Sequence, residues 1–416
     1  MAVSIAQLLK RNHNYRLLWG GQIVSEIGDH FNNIAVFALV IGQQHGGLLV
    51  SGVLIARAVP MLVAGPLAGV VLDRLDRRKV MIASDLVRAI VALGFIFCVG
   101  QKNNTLLFAL SAVLMFASPF FTSGRNAILP VVAQGEELQP ANALTQTTAW
   151  ATTGIGAFAA GISIAAFGYE WAFVLNGLSF LASAACLYFF RGGPREFSPP
   201  ESNTNRDFSP HQEFMAGLRY LKSEPLLLSI SLIGVGWATG GGAAQILFSV
   251  FGDKVFQRGA AGIGIIWSAA GVGLVVGGIV ANWLNKRLGF EGYKRTVSIA
   301  YLLHGALYVA FALEKQFALA LVFIGLSRAA GAMSSVVNYA KVLRYADDRY
   351  RGRVFATMET MTWTTMMLSL FVAGLATETV DPRTIAVVAG CLSGSTGLVW
   401  AWANWAGKLR LPQGKT

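Results

Sequence analysis

Charge is scarce in this chain. Only 13% of its 416 residues are Asp, Glu, Lys or Arg, against about 25% in ordinary globular proteins. Acids are the rarer sign, 21 against 33 bases, which leaves a net charge of +12. Such a balance suits nucleic acid only when the bases share a solvated face. Here they fall in short clusters between apolar runs of about 20 residues, the pattern of a membrane-spanning chain. Cysteine is nearly absent too. Cys98, Cys186 and Cys391 each lie inside an apolar run, with no metal-ligand spacing and no disulfide framework, so buried packing is the expectation. No Gly-x-x-x-x-Gly-Lys-Ser/Thr loop occurs, which excludes a self-contained nucleotide-driven pump. There is no nucleophile elbow, and "GVGLVVG" (271–277) sits inside an apolar run, where small residues mean close helix packing.

What is abundant is apolar: 54% hydrophobic residues and 46 glycines, glycine being frequent in membrane helices. Twelve apolar segments can be marked, at 17–41, 50–72, 80–100, 105–128, 141–167, 170–190, 225–251, 260–284, 295–313, 317–340, 353–377 and 384–406. The expected fold is an all-α polytopic membrane protein with twelve transmembrane helices. The N-terminal stretch "MAVSIAQLLKRNHNYR" leads into an apolar run far longer than a signal-peptide core, and reads as the approach to a retained helix. One long polar connection, 191–224, is proline-rich and then amphipathic, with Phe214, Leu218 and Leu221 on one face. It reads as a linker ending in a surface helix. Alternate loops share the bases 25 to 5, which predicts cytoplasmic termini and a cytoplasmic linker. The expected units are 1–190, a linker at 191–224, and 225–416.

The two halves resemble each other. "GVVLDRLDRR" (69–78) aligns with "GIVANWLNKR" (278–287) at an offset of 209, and "QTTAWATT" (146–153) with "ETMTWTTM" (359–366) at 213. Each match falls at the same helix number within its half, as a duplicated six-helix unit requires. Parallel six-helix repeats belong to one large transporter architecture.

The first segment carries "SEIGDHFNN" (25–33), polar residues where a membrane helix should be apolar. At 100° per residue, Gln22, Glu26, Asp29, His30 and Asn33 fall on one face, opposite Ile23, Ile27 and Ile34. Glu26 would lie about 14 Å and Asp29 about 18 Å into a core roughly 30 Å thick. A lipid-facing acid there costs about 2.5–3.5 kcal/mol, so the stripe is expected to face a cavity or a partner. Arg57, on the next helix at the level of Asp29, is the expected partner of Asp29 or Glu26. Asp85 and Arg88, three residues apart, are expected to pair with each other or with the nearby loop. Arg328 and Glu359 from the second half, and the repeat-matched Trp150 and Trp363 with Gln146, are candidate cavity residues. His304 reads as a satisfied polar residue.

The stretch "GVVLDRLDRRKV" resembles the loop signature of the major facilitator superfamily. "NYRLLWGGQIVSEIGD", "SDLVRA", "GRNAILP", "ANALTQ", "LRYLKSEPLL" and "RGRVFA" resemble its macrolide-efflux and enterobactin-exporter branch. The resemblance implies two six-helix bundles and gating by Gly69, Asp73, Arg74 and Arg77, and the Asp85–Arg88 pair reads as structural gating beside them. Asp73 would latch onto the start of the eleventh helix near Gly352, Gly69 would allow close helix approach, and the basic cluster would anchor at headgroups. It also implies a secondary exporter in a bacterial plasma membrane. One departure is Gly156-Ala157, where many exporters have Gly-Pro.

Together these features predict a monomeric, non-enzymatic, proton-driven exporter of an amphipathic small molecule such as a drug or siderophore. No cofactor beyond the proton gradient is expected. Glu26, Asp29, His30 and Arg57 are the expected coupling group, and Gln22, Asn33, Gln146, Trp150, Arg328, Glu359 and Trp363 the expected cavity lining. An importer or facilitator of a metabolite or lysophospholipid shares these features. A membrane-embedded enzyme or sensor fits them poorly.

Overall fold

A computed structural model describes residues 5–43, 45–101, 104–192, 196–198, 210–285, 287–347 and 350–410. Its elements are all helical: α1 (Ile5–Arg11), α2 (His13–Ile41), α3 (Gly46–Leu72), α4 (Arg77–Gly94), α5 (Thr105–Val132), α6 (Leu138–Phe167) and α7 (Tyr169–Tyr188), then α8 (Pro210–Ser223), α9 (Pro225–Val250), α10 (Gly259–Asn285), α11 (Phe290–Leu313), α12 (Phe317–Tyr345), α13 (Arg351–Ala376) and α14 (Pro382–Trp405). Among the described residues, ten helices are long and apolar enough to cross a membrane. Two further long helices, α2 and α13, fall outside that set. Both have the length to span, but α2 carries the polar stripe and α13 is rich in Thr and begins with Arg351 and Arg353.

Helix ends follow local chemistry. Asp76 caps α4, its carboxylate accepting from the Lys79 N–H at 3.2 Å, and Asp381 caps α14 through the Arg383 and Thr384 N–H groups at 2.9 and 3.2 Å. Each satisfies donors a helix start leaves orphaned. Pro60 and Pro66 lie inside α3, Pro119 and Pro130 inside α5. Membrane helices tolerate such prolines when their surroundings resatisfy the backbone.

The chain forms two compact units, residues 1–206 with 252–268, and 207–251 with 269–416. In the first, α2 packs on α6 and α7, α4 on α5 and α7, and α3 on α5. In the second, α9 packs on α13 and α14, and α11 on α12 and α14. There α10 meets α12 where a Cβ on Gly273 or Gly277 would run into the carbonyls of Gly325 and Ala329. The pairings are the same when α2–α7 are mapped in order onto α9–α14. This is how a parallel repeat looks after folding.

Small residues bring several pairs close. A Cβ on Gly161 of α6 would stand 2.9 Å from the Gly264 Cα of α10, within the first unit. In the second unit Gly305 and Gly394 do the same for α11 and α14. Such contacts let dispersion replace the hydrophobic force that lipid does not supply between helices.

The helix expected as the linker's surface element, α8, is docked rather than free. Leu221 is fully buried in the second unit's core, and the Tyr220 ring stacks on Tyr350 at 4.6 Å. The Tyr220 hydroxyl accepts from the Asp347 N–H at 3.0 Å. Gly217 lies against Thr357 and Arg353 of α13, with no room for a side chain. Phe197, earlier in the linker, is buried instead in the first unit's core beside Phe190.

Candidate functional site

The polar face of α2 has Gln22 buried and Glu26 half-buried. Glu26 is fully engaged. Arg125 of α5 donates to its Oε1 at 3.0 Å, Gln22 to the same oxygen at 2.8 Å, and the Thr152 hydroxyl of α6 to Oε2 at 2.8 Å. Gln22 also donates to the Thr145 carbonyl at 3.1 Å. The carboxylate thus ties α2 to α5 and α6.

This corrects the expected partner of Arg57. The Arg57 guanidinium donates to Asn33 and, at 2.8 Å, to Asn32, and lies 5.6 Å from the Phe37 ring centre. The apolar run at 105–128 puts Arg125 beside a helix end. α5 instead runs on to Val132, which places Arg125 two turns inside the helix and level with Glu26. The sequence hid this, because Pro130 in "TSGRNAILPVV" is a usual helix stop, which α5 instead tolerates.

Asp29 makes no hydrogen bond or ion pair with the described residues. It lies within the field of Arg88, Glu26, Arg57 and Asp85. His30 packs against Gly156 of α6, where a Cβ would stand 2.9 Å from its ring. The departure "GIGA" at 154–157 therefore gives the His30 ring its space. Gly28 similarly faces Ser179 and Asn176 of α7.

Asp85 and Arg88 pair with each other along α4, both buried. Phe121 and Phe180 cover the guanidinium at 4.5 and 4.3 Å. An ion pair enclosed by aromatic faces fixes the contact of α4 with α5 and α7.

The loop signature differs from expectation in two respects. A Cβ on Gly69 would meet no described atom within 4 Å, so Gly69 makes no close helix contact here. The end of α3 is exposed at Val70 and Asp73, although Ala68 and Leu72 beside the glycine are buried. The bases do not all reach outward to headgroups. Arg77 donates to the Ala127 carbonyl at 3.0 Å, and Arg78 to those of Leu187, at 2.8 Å, and Tyr188. They satisfy carbonyls near the C-terminal ends of α5 and α7, where cations are favoured. Asp73 and Arg74 are exposed.

In the second unit a cavity of about 310 Å³ opens between α9, α11, α12 and α13. Arg328, Glu359 and Trp363 line it together with Trp237, Tyr301, Tyr339 and Phe355. The Arg328 guanidinium sits 4.9 Å from the Phe248 ring centre. His304 is held by Ser327, whose hydroxyl lies 2.9 Å from Nδ1. The cavity's volume lies at the lower end of typical small-molecule sites, and its walls mix aromatic rings with polar groups, among them Arg328, Glu359, His304 and Asn338. Gln146 is exposed on α6, while the side chain of Trp150 lies outside the described residues. The sequence does not mark Trp237, Tyr301 or Tyr339, because nothing in an apolar run says which aromatic faces a cavity. Among the described residues no cluster of His, Cys, Asp and Glu could hold a metal ion.

Comparison with known proteins agrees with this arrangement. BacE of Bacillus subtilis strain 168, a candidate bacilysin exporter, is 26% identical over 84% of this chain and 85% of its own length. The enterobactin exporter EntS of Shigella boydii serotype 4 is also 26% identical, over 83% and 81%. The nucleoside transporter NupG superposes with a TM-score of 0.72 over 94% of this chain and 98% of its own, at 12% identity. A bacterial homologue of the iron transporter ferroportin gives 0.65 over 93% and 98%, at 17% identity. Those two likenesses show the fold. Residues 18–291 match the sequence pattern of the Major Facilitator Superfamily, and the chain, a secondary transporter of small molecules rather than an enzyme, belongs to that family.

Proposed function

We propose that this chain is a twelve-span, proton-coupled exporter of an amphipathic small molecule, with both termini cytoplasmic and Asp29 as its coupling carboxylate. The observation that carries the reading is the difference between the two acids of α2. Glu26 is held by a cation and two neutral donors, whereas Asp29 has no partner among the described residues. Asp29 can take up and release a proton without breaking an ion pair, which suits a group that must change state in each cycle. Glu26 with Arg125, and Asp85 with Arg88, hold the helices around it.

Counting α2 and α13 as spans gives twelve and matches the repeat, with bundles at 1–190 and 225–416 joined by 191–224. The polar face of α2 is then turned inward, where charged groups mark transport pathways. The cavity residues Arg328, Glu359 and Trp363 supply a cation, an acid and an aromatic wall. They fit a substrate that is part charged and part aromatic, in keeping with the antibiotic and siderophore named for the relatives. A proton entering across 100 mV releases about 2.3 kcal/mol, enough for a gradient of roughly fifty-fold for a neutral substrate.

The test is proton-driven uptake into everted vesicles, beside counterflow without a gradient. Asp29→Asn is expected to abolish the first and keep the second. Full proton-driven uptake by that variant would remove Asp29 from the mechanism, and counterflow alone in the unmodified protein would favour a facilitator.

A further inference from the structure

A second, larger cavity in the second unit shares only Ile233 with the Arg328 cavity. It is a groove of about 760 Å³ between α9 and α14 in the second unit. From Pro225 at one end to Thr239 at the other it spans roughly 21 Å of α9, somewhat more than one leaflet of a core about 30 Å thick. Its walls are Leu228, Leu232, Ile233 and Val399, with the indole of Trp402 near the mouth. Its charged lining residues are both basic, Lys408 and Arg410.

The sequence builds this mouth. Gly407 adopts a left-handed φ of +66°, a conformation that favours glycine. Its N–H donates to the Asn404 carbonyl at 3.1 Å and the Lys408 N–H to Ala403 at 2.9 Å, the paired closure of a Schellman turn. The chain then folds back so that Leu409 is buried in the second unit's core. Lys408 and Arg410, on either side of Leu409, are left exposed at the groove. Lys408 rests its ammonium 4.1 Å from the Trp402 ring centre, and Arg410 is steadied by its Nε bond to the Gly407 carbonyl at 2.9 Å. Trp402 and Trp405 are both strongly exposed, as aromatic residues are at the membrane–water boundary.

We propose that this groove binds an anionic phospholipid, one acyl chain lying between α9 and α14 and the phosphodiester held by Lys408 and Arg410. An apolar slot of about leaflet length fits a chain. Two fixed cations at the level of an interfacial tryptophan fit a phosphate and give a lipid with net negative charge the advantage over a zwitterionic one. The site is independent of the transport reading, because it shares no residue with the α2 stripe and no charged group with the Arg328 cavity.

The test uses the full-length protein purified in detergent and titrated with phosphatidylglycerol or phosphatidylethanolamine, with bound lipid counted by native mass spectrometry. Phosphatidylglycerol is expected to bind about thirtyfold more tightly, from two basic residues at the headgroup. Lys408→Ala with Arg410→Ala is expected to erase that preference. Ser395→Trp fills the exposed groove and keeps both cations, and is expected to weaken both lipids. Equal retention of the two lipids, or a preference that survives the double variant, would overturn the proposal. So would complete displacement of phosphatidylglycerol by inorganic phosphate, which would mark a simple anion site.

Discussion

Removing Arg125 should cost this protein much of its stability, and a double-mutant cycle with Glu26 can measure why. The pair is 3.0 Å apart, with side chains only 15% and 20% exposed. At an effective dielectric near 20, charges that close attract by about 5 kcal/mol, much of it offset by desolvation. A hydrogen bond to a charged group contributes about 1.5–3 kcal/mol net. Arg125→Ala leaves the Glu26 carboxylate with two neutral donors, Gln22 and Thr152, and should cost about 3 kcal/mol, the lower end for breaking a buried pair. Glu26→Gln leaves Arg125 uncompensated and should cost about 2 kcal/mol. Replacing both, Glu26→Gln with Arg125→Ala, should cost less than the sum of the two singles, because no charge is then stranded. The coupling energy is expected near 2 kcal/mol, read from reversible unfolding in mixed micelles. A value below about 0.5 kcal/mol, within the additivity of independent sites, would show that the pair is screened and that Arg125 does not hold α5 to α2.

Other expectations follow from single contacts. Trp400→Ala deletes a fully buried indole whose N–H donates to the Lys294 carbonyl at 2.9 Å; it should destabilise by about 3–5 kcal/mol, measured in the same unfolding assay. Gly264→Leu places a side chain where the Cα of Gly161 and the carbonyl of Ala157 already stand; transport in vesicles should fall steeply, while Ile265→Val, one methylene smaller at the half-buried neighbouring position, should leave it unchanged. Tyr220→Ala removes a ring stacked at 4.6 Å and a hydroxyl bonded to the Asp347 N–H; the loss should be about 1.5–2.5 kcal/mol, and unchanged stability would mean that α8 is not docked in the membrane. Arg328→Gln should weaken binding of anionic substrates more than of neutral ones, checked by equilibrium binding to the purified protein.

Much of the architecture was legible in the chain. Apolar runs, clustered bases and the offsets of 209 and 213 implied twelve helices in two like halves, and the two units repeat one packing scheme. The one-sided stripe on α2 was legible because helical periodicity is a property of the chain alone. Partner choice was not. Arg57 stood at the level of Asp29 by residue counting, yet it bonds Asn32 and Asn33. The cation for Glu26 comes from α5, 99 residues away.

The sequence alone determined which segments are helical, because apolar runs of about 20 residues match a helix across the bilayer and a helix pairs its backbone within the segment. It also determined that acids near mid-depth on α2 must face protein or water. Only the tertiary structure decided which cation neutralises Glu26, that Asp29 makes no hydrogen bond or ion pair among the described residues, that α8 docks by Tyr220 and Leu221, and that Gly407 turns Lys408 and Arg410 over a groove. These outcomes depend on how far each helix runs and how closely neighbours approach. A shift of one turn, about 5.4 Å, exchanges one partner for another while leaving every local pattern unchanged.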